Sequence, residues 1–255
     1  MSVREKKTSI NDYWNSLSHC YSEAQLAEAF LPFRKSIQIS QVFEGYLGFV
    51  DTRTKRSILN YGECEEVTGF PLLFFATDPV ARIAESLAYP ARKEVNRILD
   101  QMVRLLHVDK TPLTDLLEIT LIGVELLVNK NAPKKVLVRM QPVLHDPEGS
   151  LAVISLILKD ITHLTNLQDP WCRMVDKKGE KYFANRDTCK KGDIFSPREL
   201  EVLSTLQQRK SNDYIARKLG ISYNTVLVHQ KSMMQKLGTI DRSSLLHLSG
   251  LVGLV

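Results

Sequence analysis

The sequence predicts an α+β chain whose two parts follow different periods. Over the first two thirds, short apolar runs bounded by turn formers mark strands on either side of a helical middle. Over the last quarter, apolar residues recur at helical spacing between well-placed helix caps. With 255 residues and 44% hydrophobic content, the chain is long enough to bury two cores.

From Thr8 to about Phe33, Trp14, Leu17, Tyr21, Leu26, Ala29 and Phe30 predict one or two amphipathic helices ending near Pro32. Gly45–Asp51 and Ser57–Tyr61 read as a hairpin around the turn-like Thr52–Arg56. Residues 62 to 107 read as mainly helical, with Ala81, Ile83 and Leu87 before Pro90, and Val95, Ile98, Leu99, Met102, Leu105 and Leu106 after it. Three strand runs follow, Leu116–Asn129, Lys135–Leu144 and Leu151–Lys159, separated by Asn129–Pro133 and Asp146–Gly149. The third is apolar on both faces, as a central strand requires. Beyond Asp169-Pro170-Trp171, the segments Arg173–Asp176 and Lys181–Ala184 flank Lys177–Glu180 and predict a small hairpin, with Trp171 packed against a neighbouring domain.

Four short helices close the chain. Ser196 is a favoured N-cap, Pro197 fits the first helical position and Glu199 completes a capping box; Leu200, Val202, Leu203 and Leu206 follow. Ser211 opens a second helix, carrying Ile215 and Leu219, that stops at Gly220. Ser222 opens a third, which runs through Val226, Met233 and Leu237 to Gly238. Asp241 opens a fourth, with Leu245, Leu248 and Val252 along one side. Tight turns between short helices in a basic segment suggest a helix-turn-helix unit.

The third helix divides into two faces. Val226, Met233 and Leu237 belong to a packed side. Asn224, Val228, Lys231 and Gln235 lie opposite, flanked by Leu227 and Met234. Apolar groups beside a lysine and amides suit the major groove, where thymine methyls, base edges and phosphates offer partners to each. Thr225, in the first turn, is placed either for a phosphate at the helix N-terminus or for a local cap. His229 lies at the flank of the packed side and reads as structural. Arg198, Arg217, Lys218 and Lys236 are candidates for backbone phosphates.

Taken together, Ser196-Pro197-Arg198-Glu199, Val202-Leu203, Ser211-Asn212, Ile215-Ala216, Leu219-Gly220-Ile221-Ser222, Thr225-Val226, Val228-His229 and Lys236-Leu237-Gly238 closely resemble the LuxR-type DNA-binding domain. The resemblance implies a four-helix domain whose third helix enters the major groove and whose fourth often forms a dimer contact. It assigns DNA contact to Leu227, Val228 and Lys231, and with Asn224, Thr225 and Gln235 from the reading of the helix itself these are the expected DNA-binding residues. Leu227 stands where the family often has a basic residue, which shifts that position toward apolar contact.

The first part resembles a PAS domain in its order of two strands, helical middle and three strands, in the Asp160-Ile161-Thr162 ending and in Glu65–Phe70. That resemblance implies a five-stranded antiparallel sheet with helices across one face, able to hold a small ligand or to pair with another such surface. Neither a flavin nor haem is expected. Cys64 lacks the Asn-Cys-Arg-Phe neighbours of the flavin-binding branch, and His107 and His145 are lone histidines. The expected organisation is a helical segment at 1–36, a PAS-like sensory domain at 37–165, a linker with the hairpin at 166–191 and the DNA-binding domain at 192–255.

Charge agrees with this division. From Lys191 to Val255 nine lysines and arginines face five acids, so this stretch holds most of the formal net charge of +5. Cys20, Cys64, Cys172 and Cys189 show no metal-ligand spacing and read as free thiols in a reducing cytoplasm. The charged Met1–Lys7 stretch is not a secretory signal, and no run reaches the length of a membrane helix.

The expectation is therefore a cytoplasmic, sequence-specific transcription regulator with no cofactor, no metal and no membrane partner. Its partners would be double-stranded DNA, a second copy of itself, an unidentified small molecule and RNA polymerase. The apolar stripe on the last helix marks an interface in that scheme, with part of it closing the domain's own core. Two alternatives share the same DNA-binding domain. A phosphoacceptor receiver would need strands alternating with helices in a parallel sheet, and an acyl-homoserine-lactone receptor would need an aromatic and aspartate signature not evident around Trp14 or Trp171. No phosphate loop, metal cluster or nucleophile elbow points to an enzyme.

Overall fold

The computed structural model describes residues 9–39, 45–127 and 133–254. The five expected strand runs form β1 (Tyr46–Asp51), β2 (Ser57–Gly62), β3 (Leu116–Leu126), β4 (Lys134–His145) and β5 (Leu151–Asp160). The Asn129–Ala132 part of the connector between β3 and β4 lies outside the described residues, as does Met1–Lys7. The expected hairpin is present as β6 (Trp171–Asp176) and β7 (Lys181–Ala184), followed by β8 (Cys189–Lys191).

All eight strands belong to one antiparallel sheet in the order β2-β1-β5-β4-β3-β6-β7-β8. The sheet is thus three strands wider than the five-stranded sheet expected. The cause is the free edge of β3: β6 pairs along it from Leu116↔Asp176 to Ile122↔Trp171 and covers backbone groups that would otherwise face solvent. The Asp176 carboxylate closes the β6–β7 turn by accepting the N–H groups of Lys178 and Glu180, each at 2.9 Å. No strand pair among the described residues is parallel, unlike the parallel sheet that the receiver alternative requires.

Successive side chains point to opposite faces of a strand, so the sheet has two different coverings. On one face lie α1 (Ile10–Ser16), α3 (Cys64–Thr68), α4 (Pro79–Glu85) and the long α5 (Tyr89–Val108). Val95, Ile98, Met102 and Leu106 of α5 share one core with Val124, Val138, Leu156 and Leu158 of the sheet. On the other face, Leu26 and Phe30 of α2 (Glu23–Ile39) pack with Phe49 and Val153. Helix α2 continues past Pro32, where a stop was expected. Proline's fixed φ is itself helical, and the lost N–H falls in a solvent-facing turn.

The remaining area of that second face is covered by the last four helices, α6 (Pro197–Gln207), α7 (Asn212–Leu219), α8 (Tyr223–Leu237) and α9 (Arg242–Val252). Val202, Leu206, Ile215, Val226, Met233 and Leu248 form one continuous core with Ile122, Leu137, Trp171 and Phe183 of the sheet. Trp171 is only 2% exposed, and its Nε1 has no hydrogen-bond partner among the described residues. It acts as a packing wedge at the joint, as its place beside a proline break suggested.

Candidate nucleic-acid interface and ligand cavity

Each of the last four helices starts on a side chain that accepts a backbone N–H: Ser196 from Glu199, Ser211 from Tyr214, Ser222 from Thr225 and Asp241 from Ser244. Each cap contributes about 1 kcal/mol. Gly220 between α7 and α8 has φ +63°, and Gly238 between α8 and α9 has φ +62°, conformations that favour glycine. A Cβ at Gly238 would lie 2.7 Å from the backbone nitrogen of Leu167, so this turn has no room for a side chain against the chain leaving the sheet.

Helix α8 is held by its inner face. Val226, Met233 and Leu237 are fully buried, and the buried Gln230 donates from Nε2 to Oδ1 of Asn212 at 2.8 Å, tying α8 to α7. Glu199 is the electrostatic pin. Its carboxylate, 3% exposed, accepts the Ser196 N–H at 2.7 Å, the Ser232 hydroxyl at 2.7 Å and the Lys236 ammonium at 2.6 Å. Burial works against the charge, but these donors, Lys236 foremost, prevail and lower the Glu199 pKa to about 2.

The outer face of α8 projects into solvent. Asn224, Lys231 and Gln235 are exposed there with Leu227 at 41% and Val228 at 64% exposure. Thr225 is half-buried; its N–H donates to the capping Ser222 hydroxyl at 3.0 Å and its own hydroxyl lies 2.8 Å from that of Ser222. His229 is half-buried at the flank. Of the four candidate phosphate cations, two serve the fold: Lys236 pairs with Glu199, and Arg198 pairs with Glu201 at 2.5 Å and donates to the Leu219 carbonyl. Arg217, Lys218 and Lys231 are exposed and pair with no carboxylate among the described residues.

Of the two roles expected of the stripe on helix α9, core closure is the one observed. Leu245, Leu248 and Val252 are fully buried in the core shared with the sheet, so the stripe is not a free surface. Its C-terminal carbonyls meet two arginines on the sheet: Arg139 donates to Leu251 and Arg173 to Gly253, the latter at 3.5 Å. Cations at a helix C-terminus match the negative end of its dipole. Arg173, 4% exposed, also faces Glu118 at 3.4 Å and Asp193 at 3.4 Å, while Glu118 lies 3.6 Å from Arg139. This ionic layer was missed from sequence. Its signal was there: Glu118, Arg139 and Arg173 each interrupt an apolar strand.

The opposite face of the same strands borders a cavity of about 480 Å³. Leu121, Val138, Met140, Ile154 and Leu156 form its floor on the sheet; Val95 and Leu99 of α5 and Trp14 of α1 form its other walls. Helix α1 is fastened there by Lys55, whose Nζ lies 4.2 Å from the Trp14 ring centroid and donates to the Trp14 carbonyl, and by Asp78, which accepts the Trp14 indole N–H at 3.4 Å. Cys64, His107 and His145 are not among the lining residues. Near the β4–β5 turn, Cys20, Asp146 and Glu148 bring possible ligand atoms within 4.8 Å of one another, but Asp146 is committed to the N–H groups of Cys20, Glu148 and Ser150.

Residues 193–249 match the family model for bacterial regulatory proteins, luxR family. This stretch is a LuxR-type helix-turn-helix domain. No curated protein matches the chain in sequence. Among solved structures, the Vibrio cholerae VqmA dimer in the absence of target DNA is 18% identical, covering 86% of this chain and 88% of that chain with a TM-score of 0.31. The phage VqmA–DPO complex is 16% identical, covering 90% and 91%, with a TM-score of 0.29. No helix among the described residues is long and apolar enough to cross a membrane.

Proposed function

We propose that this chain is a sequence-specific transcription regulator in which a PAS-like sensory domain, at about 37–165, controls the LuxR-type domain at 192–255. The observation that carries this reading is the division of α8 into a locked inner face and a free outer one. Asn224, Thr225, Leu227, Val228, Lys231 and Gln235 are the DNA contacts: amides for base edges, Leu227 and Val228 for thymine methyls, Lys231 for guanine or phosphate. Arg217 and Lys218, unpaired on the neighbouring α7, add phosphate contacts.

The cavity between the sheet and α1, α4 and α5 supports the sensing half of the proposal. Its volume falls in the range of small-molecule sites, and its walls are mostly apolar with a few polar groups. A two-fold dimer would place two copies of α8 on half-sites about one helical turn apart. With the α9 stripe buried, the first part of the chain is the better source of that contact in this conformation.

The test uses the full chain. Duplexes selected from a randomised pool should converge on a motif, and affinity for it should fall steeply as salt rises, because phosphate contacts release counterions. A folded chain that selects no motif and shows no duplex affinity at low salt would refute the proposal.

A further inference from the structure

The cavity has its exposed polar groups at one rim and a mostly apolar floor. Four lining residues remain exposed, Asn11, Asn15, Glu85 and Asn96, and all four come from α1, α4 and α5, which places the mouth on that side. The floor on β3, β4 and β5 is mostly apolar, with Val138 and Leu156 among the most buried, although Glu118 and Gln141 also border the space. A ligand filling this space is amphiphilic, with its apolar body on the sheet and its polar end under α1.

Charge at the rim sets the sign of that polar end. The carboxylates of the lining residues already have cations: Glu85 pairs with Arg82 at 2.8 Å, Glu118 with Arg139 and Arg173, and Asp78 faces Lys55. Arg92 has no such partner. Its Nη2 donates to the Glu85 main-chain carbonyl, its Nε is buried with no hydrogen-bond partner, and it pairs with no carboxylate among the described residues. Arg92 and Asn96 stand one turn apart on α5 and so share a face, and both line the cavity. Arg92 closes the first turn of a twenty-residue helix, where the dipole favours an anion.

We infer that the cavity binds an amphiphilic monocarboxylate, its aliphatic or aromatic body against Val138, Met140 and Leu156 and its carboxylate on Arg92 with Asn96 beside it. This rests on the sensing reading given above. A planar guanidinium with open donors is well matched to a carboxylate, and an alcohol offers only one neutral acceptor.

The experiment is calorimetric titration of the full chain at neutral pH with octanoate, octanol and octylamine. Octanoate should bind at least about tenfold more tightly than octanol, and octylamine more weakly than either. In Arg92→Gln, whose amide can still donate to Glu85, octanoate should fall to the level of octanol while octanol is unchanged. Equal affinity for octanoate and octanol in the wild type would overturn the carboxylate while leaving the cavity as a ligand site. A preference that survives Arg92→Gln in a folded variant would remove Arg92 from the site. No binding by any of the three would overturn both this inference and the sensing reading.

Discussion

Helices α8 and α9 are neighbours in one small domain, and both carry a row of apolar residues. Their environments are opposite. On α8 the outer residues Leu227 and Val228 stay in solvent beside Lys231, whereas on α9 Leu245, Leu248 and Val252 are sealed into a core that continues into the sheet. The difference lies in what accompanies the apolar groups. On α8 they stand among exposed polar side chains, Asn224, Lys231 and Gln235. On α9 they form an unbroken stripe, and such a stripe buries itself, here against α6 and α8 in a core that continues to the sheet.

The largest effect expected from that contrast comes from Leu248→Lys. A charge placed at a fully buried position among Val226, Met233 and Val252 has no partner, and the variant should lose at least about 4 kcal/mol, enough to unfold the C-terminal helices. Val228→Lys, on the exposed face of α8, should change stability by less than about 0.5 kcal/mol. Thermal unfolding of both variants side by side checks the comparison. Similar melting temperatures would mean that α9 is not buried as described.

Trp171→Ala comes next and asks whether the shared core is real. Removing this side chain opens a hole between the sheet and the LuxR-type domain and should cost roughly 3–5 kcal/mol. If the two parts stood independently, the melting of the C-terminal helices would be unaffected, and a circular-dichroism melt dominated by helix would show it. An isolated 192–255 fragment should be less stable than the same segment in the full chain for the same reason, because it leaves Ile122, Leu137 and Phe183 behind.

Glu199→Gln should cost about 2 kcal/mol, since Lys236 is left without its charge partner. The same pair sets an acid limit. The Glu199 pKa is lowered from 4.5 to about 2 in the folded chain, so its stabilisation is fully present above pH 4.5 and is lost as pH falls from there toward 2. Wild-type stability should decline over that window more steeply than that of Glu199→Gln. Parallel declines would show that Glu199 is not held as an ion.

What sequence could show was what is local. Ser196 with Glu199, Ser211, Ser222, Asp241, Gly220 and Gly238 act within a few residues of themselves, so the four helices and the faces of α8 were legible, as were the five strand runs of the first part. Partners brought together by the fold were not. Nothing near Trp171 says that its strand will pair with β3, some fifty residues earlier, and nothing near Leu251 says that its carbonyl will meet Arg139 of the sheet. Arg139 and Arg173 were visible as charges inside apolar strands, but their common partner, Glu118, and the α9 carbonyls became neighbours only through the strand order. The cavity belongs to the same class, since its walls come from α1, α5 and three strands.

The smallest and most specific effect is on the exposed side of the comparison. Lys231 is exposed, pairs with no carboxylate among the described residues and supports no buried group, so Lys231→Ala should leave the melting temperature unchanged. Its effect should appear only in DNA affinity, as a loss of roughly 1–3 kcal/mol on the selected motif. The salt dependence then separates two modes of contact. If Lys231 meets a phosphate, binding weakens about equally on all sequences and the salt slope falls by about one. If it meets a guanine edge, discrimination at one base pair collapses while the slope is nearly kept. A folded Lys231→Ala chain that binds the selected motif as tightly as wild type would assign DNA reading to a different surface of α8.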